Sequence, residues 1–94
     1  MTVPANKIAT GQITLTGSSQ QLVAAAFNYQ SKSVRISNND GSTKAYYSVS
    51  GVTETTGDVI EPGTSVSIET TDPRNIYVDG TTDDVLSYTI VYAG

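Results

Sequence analysis

Apolar residues recur at every second position in several short runs, and nowhere does the three-to-four spacing of an amphipathic helix persist. The chain therefore reads as all-β. Ile13 and Leu15 carry the alternation in 11–16, Val34 and Ile36 in 32–38, and Ala45, Tyr47 and Val49 in 43–50, where Tyr46 and Ser48 point the other way. Further on, 64–70 alternates around Val66 and Ile68, and 76–79 around Ile76 and Val78. The longest run, 85–92, sets Leu86, Tyr88, Ile90 and Tyr92 on one face, with Val85, Ser87, Thr89 and Val91 on the other. That second face is half apolar and suits either water or a neighbouring subunit. The stretch Leu22-Val23-Ala24-Ala25-Ala26-Phe27 falls short of the roughly 12–15 residues of an autonomous helix, so an extended crossing or a single helical turn is expected there.

Turn residues punctuate these runs. Asn38-Asn39-Asp40-Gly41 tolerates the positive φ of a tight turn and lies between two alternating segments, which predicts a β-hairpin. Glu61-Pro62-Gly63 has proline at the second and glycine at the third position of a type II turn. Asp72-Pro73-Arg74-Asn75 breaks one run, Gly80-Thr81-Thr82-Asp83 makes another turn, and 51–57 is a loop by composition. About seven to eight short antiparallel strands, spaced roughly ten residues apart, predict a single β-sandwich of jelly-roll or immunoglobulin-like type over residues 11–94. Residues 1–10, with Pro4 and no alternation beyond Ile8, read as an N-terminal arm.

Composition narrows the function. With 94 residues the chain is one module, and with no Cys, His or Trp it lacks disulfides, thiol and imidazole catalysis, and Cys/His zinc sites. No cofactor or metal site is expected, and no enzyme. A net charge of -4 opposes nucleic acid and anionic membranes, and no run of about 18 apolar residues is present to span a bilayer. The N-terminus shows no cationic stretch leading into an apolar one, so no signal peptide is expected. Hydrophobic residues are sparse at 37%, yet charged ones are only 15%, and neutral Ser and Thr fill the difference, which is not the composition of a disordered chain. A module this small buries only about 60–65% of its unfolded surface, so oligomerisation or docking on a larger body is the expected remedy.

The carboxylates are the remaining reactive groups. Asp79, Asp83 and Asp84 flank a Gly-Thr-Thr segment and could offer oxygens to Ca²⁺, but they are also ordinary turn residues, and the turn is the preferred reading. Glu54, Asp58 and Glu61 fall in or beside a loop and read as solvated charges, not as a glycosidase acid pair. Six tyrosines against one Phe favour sites that are apolar at one end and wet at the other. Adjacent Tyr46 and Tyr47 must take opposite faces of a strand, so one lies outside the core. Tyr46, Tyr77 and Asp79 are the candidate contact residues.

The succession Ile-Thr-Leu-Thr (13–16), Ser-Val-Arg-Ile-Ser-Asn-Asn (33–39), Ser-Gly-Val-Thr-Glu-Thr-Thr-Gly (50–57), Ile-Glu-Pro-Gly-Thr-Ser-Val-Ser-Ile (60–68) and Asn-Ile-Tyr-Val-Asp-Gly (75–80), closed by a hydrophobic strand, resembles small virion proteins of tailed bacteriophages. The likeness covers about 80 of the residues. It implies a capsid cement, decoration or head-fibre protein, made in the host cytoplasm and held on the virion surface as a dimer or trimer against the major capsid protein. The alternative is a carbohydrate- or receptor-binding module of a phage fibre or baseplate, with Tyr46, Tyr77 or Asp79 at the site.

Overall fold

In the computed structural model, which describes residues 6–23, 31–48, 51–53, 55–70 and 72–93, the alternating runs become six of eight strands. The eight are β1 (Asn6–Thr14), β2 (Gln20–Gln21), β3 (Ser31–Asn38), β4 (Ala45–Ser48), β5 (Asp58–Ile60), β6 (Ser65–Ile68), β7 (Tyr77–Gly80) and β8 (Val85–Ala93). Two four-stranded antiparallel sheets result, with orders β1-β8-β3-β6 and β2-β7-β4-β5. The pairs β1/β8, β2/β7, β3/β6 and β4/β5 are those of one long hairpin folded at the β4–β5 loop. Rolling that hairpin up adds the β3/β8 and β4/β7 ladders and produces a jelly-roll sandwich.

The inward side of each run makes the core. Val34, Ile36, Leu86 and Ile90 from one sheet meet Ala45, Ile60 and Val78 from the other, and Leu15 fills the space between them. Tyr47, Tyr88 and Tyr92 pack against this cluster. Register explains a glycine in β1. Gly11 stands opposite Tyr88, whose ring occupies the space where a Cβ would sit, 2.5 Å from Oη.

Two expectations change. Asn38-Asn39-Asp40-Gly41 does not make a hairpin, because β3 and β4 belong to different sheets and do not pair. The segment is a corner. Asp40 Oδ1 accepts the Ser42 and Thr43 N–H groups at 2.7 and 2.9 Å, so the Asx side chain turns the backbone out of one sheet and towards the other. Residues 6–10, expected in an arm, are instead the first half of β1, since β8 is long enough to pair them from Asn6↔Ala93 onward. Residues 1–5, the alanine run 24–26 and Val49 lie outside the described residues. The turn at Pro62–Gly63 forms as its residues require, with Gly63 at φ 70° and Thr64 N–H donating to Glu61 O at 3.1 Å, although it too crosses between sheets.

Asn38, only 3% exposed, holds the corner shut. Its Nδ2 donates to Thr43 O at 2.8 Å and to Ile60 O at 3.0 Å, while Oδ1 accepts the Asp40 N–H at 3.1 Å. Its backbone N–H donates to Thr64 O at 2.9 Å and its carbonyl accepts from Gly63 N–H at 3.1 Å. A buried acceptor stripped of its donor costs about 1–3 kcal/mol, so Asn38→Leu, which strips two carbonyls, should lower the unfolding free energy by about 2–4 kcal/mol in urea titration. A stability within about 0.5 kcal/mol of wild type, the range of ordinary surface changes, would show that the amide is not what fixes the corner.

Candidate functional site

The outer face of the β2-β7-β4-β5 sheet gathers the three candidate residues. In β4, Ala45 and Tyr47 turn inward, which sends Tyr46 and Ser48 outward; in β7, Val78 is buried, so Tyr77 and Asp79 face out. The register places Tyr46 directly opposite Asp79 and Ser48 opposite Tyr77, which also pairs with Gln21 of β2. Tyr47 takes the core side, as the adjacent tyrosines demand. Its hydroxyl donates to Asp58 Oδ2 at 3.2 Å, and burial together with that carboxylate pushes the phenol pKa up.

Tyr46 and Asp79 line a cleft of about 650 Å³. Lys44 shares the face of Tyr46 and Thr81 that of Asp79, one step beyond the last ladder pair Ala45↔Gly80, so these four make the floor. Tyr77 shares the sheet face but does not line the cleft. Gly80 is required beneath it, because a Cβ there would lie 2.6 Å from Leu15 Cδ1 in the core.

One wall is the loop after β4. Val52 is buried beneath it, and a Cβ on Gly57 would come within 2.5 Å of Val52 Cγ2 and 3.0 Å of Tyr46 Cβ, so the loop can fold down on Tyr46 only with glycine there. Thr53 then reaches the cleft, with its carbonyl accepting from Thr56 N–H (3.2 Å) and Gly57 N–H (2.9 Å) and its own N–H donating to Thr56 Oγ1 (2.9 Å). The other wall is the Asp40 corner, together with Gly17. Ser42 N–H, Ser42 Oγ and Thr43 N–H converge on Asp40 Oδ1, and Thr43 Oγ1 donates to Asp84. Those donors favour the charged carboxylate and hold the Asp40 pKa at about 2, below the ordinary 3.8.

The charges of the cleft are opposed. Asp79 Oδ1 accepts its neighbour's Gly80 N–H at 2.8 Å, and Lys44 Nζ lies 4.0 Å from Glu61 Oε1 in a pair whose side chains are both more than half exposed, a weak surface contact. Asp79 does not join Asp83 and Asp84. Among the described residues no three carboxylates come together as a metal-ligand set. Glu54 lies outside the described residues, while Asp58 and Glu61 meet Tyr47 and Lys44. The arrangement offers one aromatic ring, one carboxylate, one ammonium and several hydroxyls, which equips it to hold a polar ligand.

Lys44, Thr81 and Thr53 were not among the residues expected at a site. Two-residue parity from Tyr46 and Asp79 points to the first two. Nothing local marks Thr53, which arrives only because the loop folds back on Tyr46.

An eight-stranded jelly-roll sandwich with a polar cleft on one outer sheet is thus the class of protein that fold and site define. No protein-family model matches the chain, and no curated protein matches it. It is similar in fold to a solved structure of Bacillus endospore appendages, which form a family of disulfide-linked pili, with a TM-score of 0.52 and 17% identity over 95% of this chain and 87% of that one.

The Asp40 corner makes a pH prediction. Its folded pKa is depressed, so the stability it contributes is fully present above the unfolded value of 3.8 and is lost as pH falls towards about 2. Asp40→Asn keeps an acceptor oxygen and removes the charge. Its melting temperature should lie below that of wild type at neutral pH, and the gap should close between about pH 4 and pH 2; a gap that stays constant through that window would place the stabilisation elsewhere.

Proposed function

We propose that this protein is a non-enzymatic structural protein of a phage virion, held in many copies on the outer surface of the capsid, where it cements the lattice of the major capsid protein. The observation that carries this reading is the β1 edge. β1 is nine residues long, has Lys7 as its single charge, and has no strand paired to its outer rim among the described residues, whereas natural sheets blunt such edges with charges, proline or bulges. Ile8 on it is 65% exposed and stands beside half-buried Val91 of β8. An exposed edge with an apolar anchor suits a partner's surface. The same sheet's outer face continues as Thr10, Gln12, Ser33, Arg35, Ser37, Ser87 and Thr89, with one charge among these seven positions, sparing in charge as the centres of protein interfaces are.

A fold of this kind in appendages that form disulfide-linked pili supports the use of such a sandwich as a repeated building block. This chain has no cysteine, so its assembly must rest on many non-covalent contacts, each adding to the cost of losing a lattice subunit. Self-association as a dimer or trimer belongs to the same reading.

Particles lacking the protein should release DNA at a lower temperature than complete ones, and equal survival would remove cementing from the account. Ile8→Glu, at an exposed position, should fold normally but lower occupancy on particles about tenfold, the effect of losing roughly 1.4 kcal/mol of apolar contact. Undiminished occupancy would move the docking surface away from β1.

A further inference from the structure

We infer that the cleft over Tyr46 and Asp79 is a binding site for a neutral saccharide. This inference does not depend on the capsid role, since the cleft lies on the outer face of the sheet that lacks β1.

The chemistry of the floor selects the ligand class. Tyr46 supplies the one aromatic ring, Asp79 a carboxylate with its second oxygen open to accept, Lys44 a donor, and Thr81 and Thr53 hydroxyl groups that can do either. A pyranose matches this set, with an apolar C–H face to lie on a ring and a rim of hydroxyls that donate and accept. An apolar ligand finds too little apolar wall. A phosphate or other anion meets the Asp79 carboxylate, and a cation meets the Lys44 ammonium. Opposite charges on one floor leave a neutral, hydroxyl-rich molecule as the best complement. The volume of about 650 Å³ falls within the usual 300–1,000 Å³ of small-molecule sites and leaves room for a short oligosaccharide.

The floor is also held in place before any ligand arrives. Gly80 N–H fixes Asp79 Oδ1, the loop resting on Tyr46 limits its movement, and the Asp40 and Thr53 hydrogen bonds hold both walls. Side chains already ordered lose less entropy on binding, which suits a small polar ligand that buries little apolar area.

The test uses the full chain, biotinylated and gathered on streptavidin, over an array of neutral and acidic oligosaccharides, followed by titration of the strongest ligand with ¹⁵N-labelled protein. Neutral oligosaccharides should bind, with amide shifts at Lys44, Thr53, Asp79 and Thr81. Tyr46→Ala should weaken binding by about five- to tenfold, the effect of losing an aromatic contact. Two shape-keeping variants guard against misfolding: Tyr46→Phe should retain binding, and Asp79→Asn should weaken it with an unchanged melting curve. A blank array overturns the inference. So do shifts confined to the β1-β8-β3-β6 sheet, binding unaffected by Tyr46→Ala and Asp79→Asn, or binding of acidic glycans alone that is lost in Lys44→Ala.

Discussion

Four of the strand connections that cross between the two sheets meet at one end of the sandwich, and the hydrogen bonds among these four are what the rest of the structure depends on. The four are β1 to β2, β3 to β4, β5 to β6 and β7 to β8. Leu15 N–H donates to Asp84 O and Asp83 N–H to Leu15 O, both at 2.8 Å, which joins the first crossing to the last. Asn39 N–H reaches Val85 O at 3.2 Å, and Gly63 N–H reaches Asp40 O at 2.9 Å, joining the second to the fourth and the third. Asn38 sits at the middle with its amide saturated. A rolled hairpin has no covalent reason to stay rolled in a chain without cysteine, so this polar knot and the apolar layer behind it must supply the closure.

Most of the fold was legible because the core is a matter of parity. Val34 and Ile36, Leu86, Tyr88 and Ile90, and Ala45 and Tyr47 each recur at every second position, and all seven lie inward, as a half-buried strand requires. Pairing partners were not legible in the same way. Asn38-Asn39-Asp40-Gly41 is chemically able to close a hairpin, yet Gly41 is not in the left-handed region, and the Asp40 carboxylate does the turning by accepting backbone N–H groups instead. Whether such a turn returns a strand to its own sheet or sends it across depends on Ile60 and Thr64, which are distant in sequence. β2 was hidden for a related reason: its two residues, Gln20 and Gln21, carry no apolar signal. Hydrogen bonds of their side-chain amides hold them: Gln20 Nε2 donates to Thr14 O and its Oε1 accepts from Thr16 N–H, and Gln21 Nε2 donates to Arg74 O.

The candidate site followed from one local argument and one distant fact. Adjacent tyrosines had to part, and Tyr46 went outward. That Asp79 would stand opposite it required the β4/β7 register, which closes only when the hairpin rolls. Tyr77 and Asp79 share a face by parity, but the cleft extends towards Lys44 and Thr81, not towards Tyr77, because the β3–β4 crossing rises at that end as one wall and the β4–β5 loop folds back over Tyr46 as the other.

The polarity of the cleft is a consequence of the same knot. Corners that cross between sheets leave backbone N–H groups unpaired, and the residues that pair them locally are Asp, Asn, Ser and Thr. Asp40, Ser42, Thr43 and Asp84 therefore stand at the crossings for structural reasons, and by standing there they line or support a cavity rich in hydroxyls. Tyr46 of β4 adds the ring, and the loop folded over it adds Thr53. A chain with few charges, no histidine and no cysteine thus builds a hydroxyl-rich cleft with the residues it already needs to turn its corners, while its nine-residue edge strand lies in the other sheet, so the proposed docking edge and the proposed ligand site occupy different sheets.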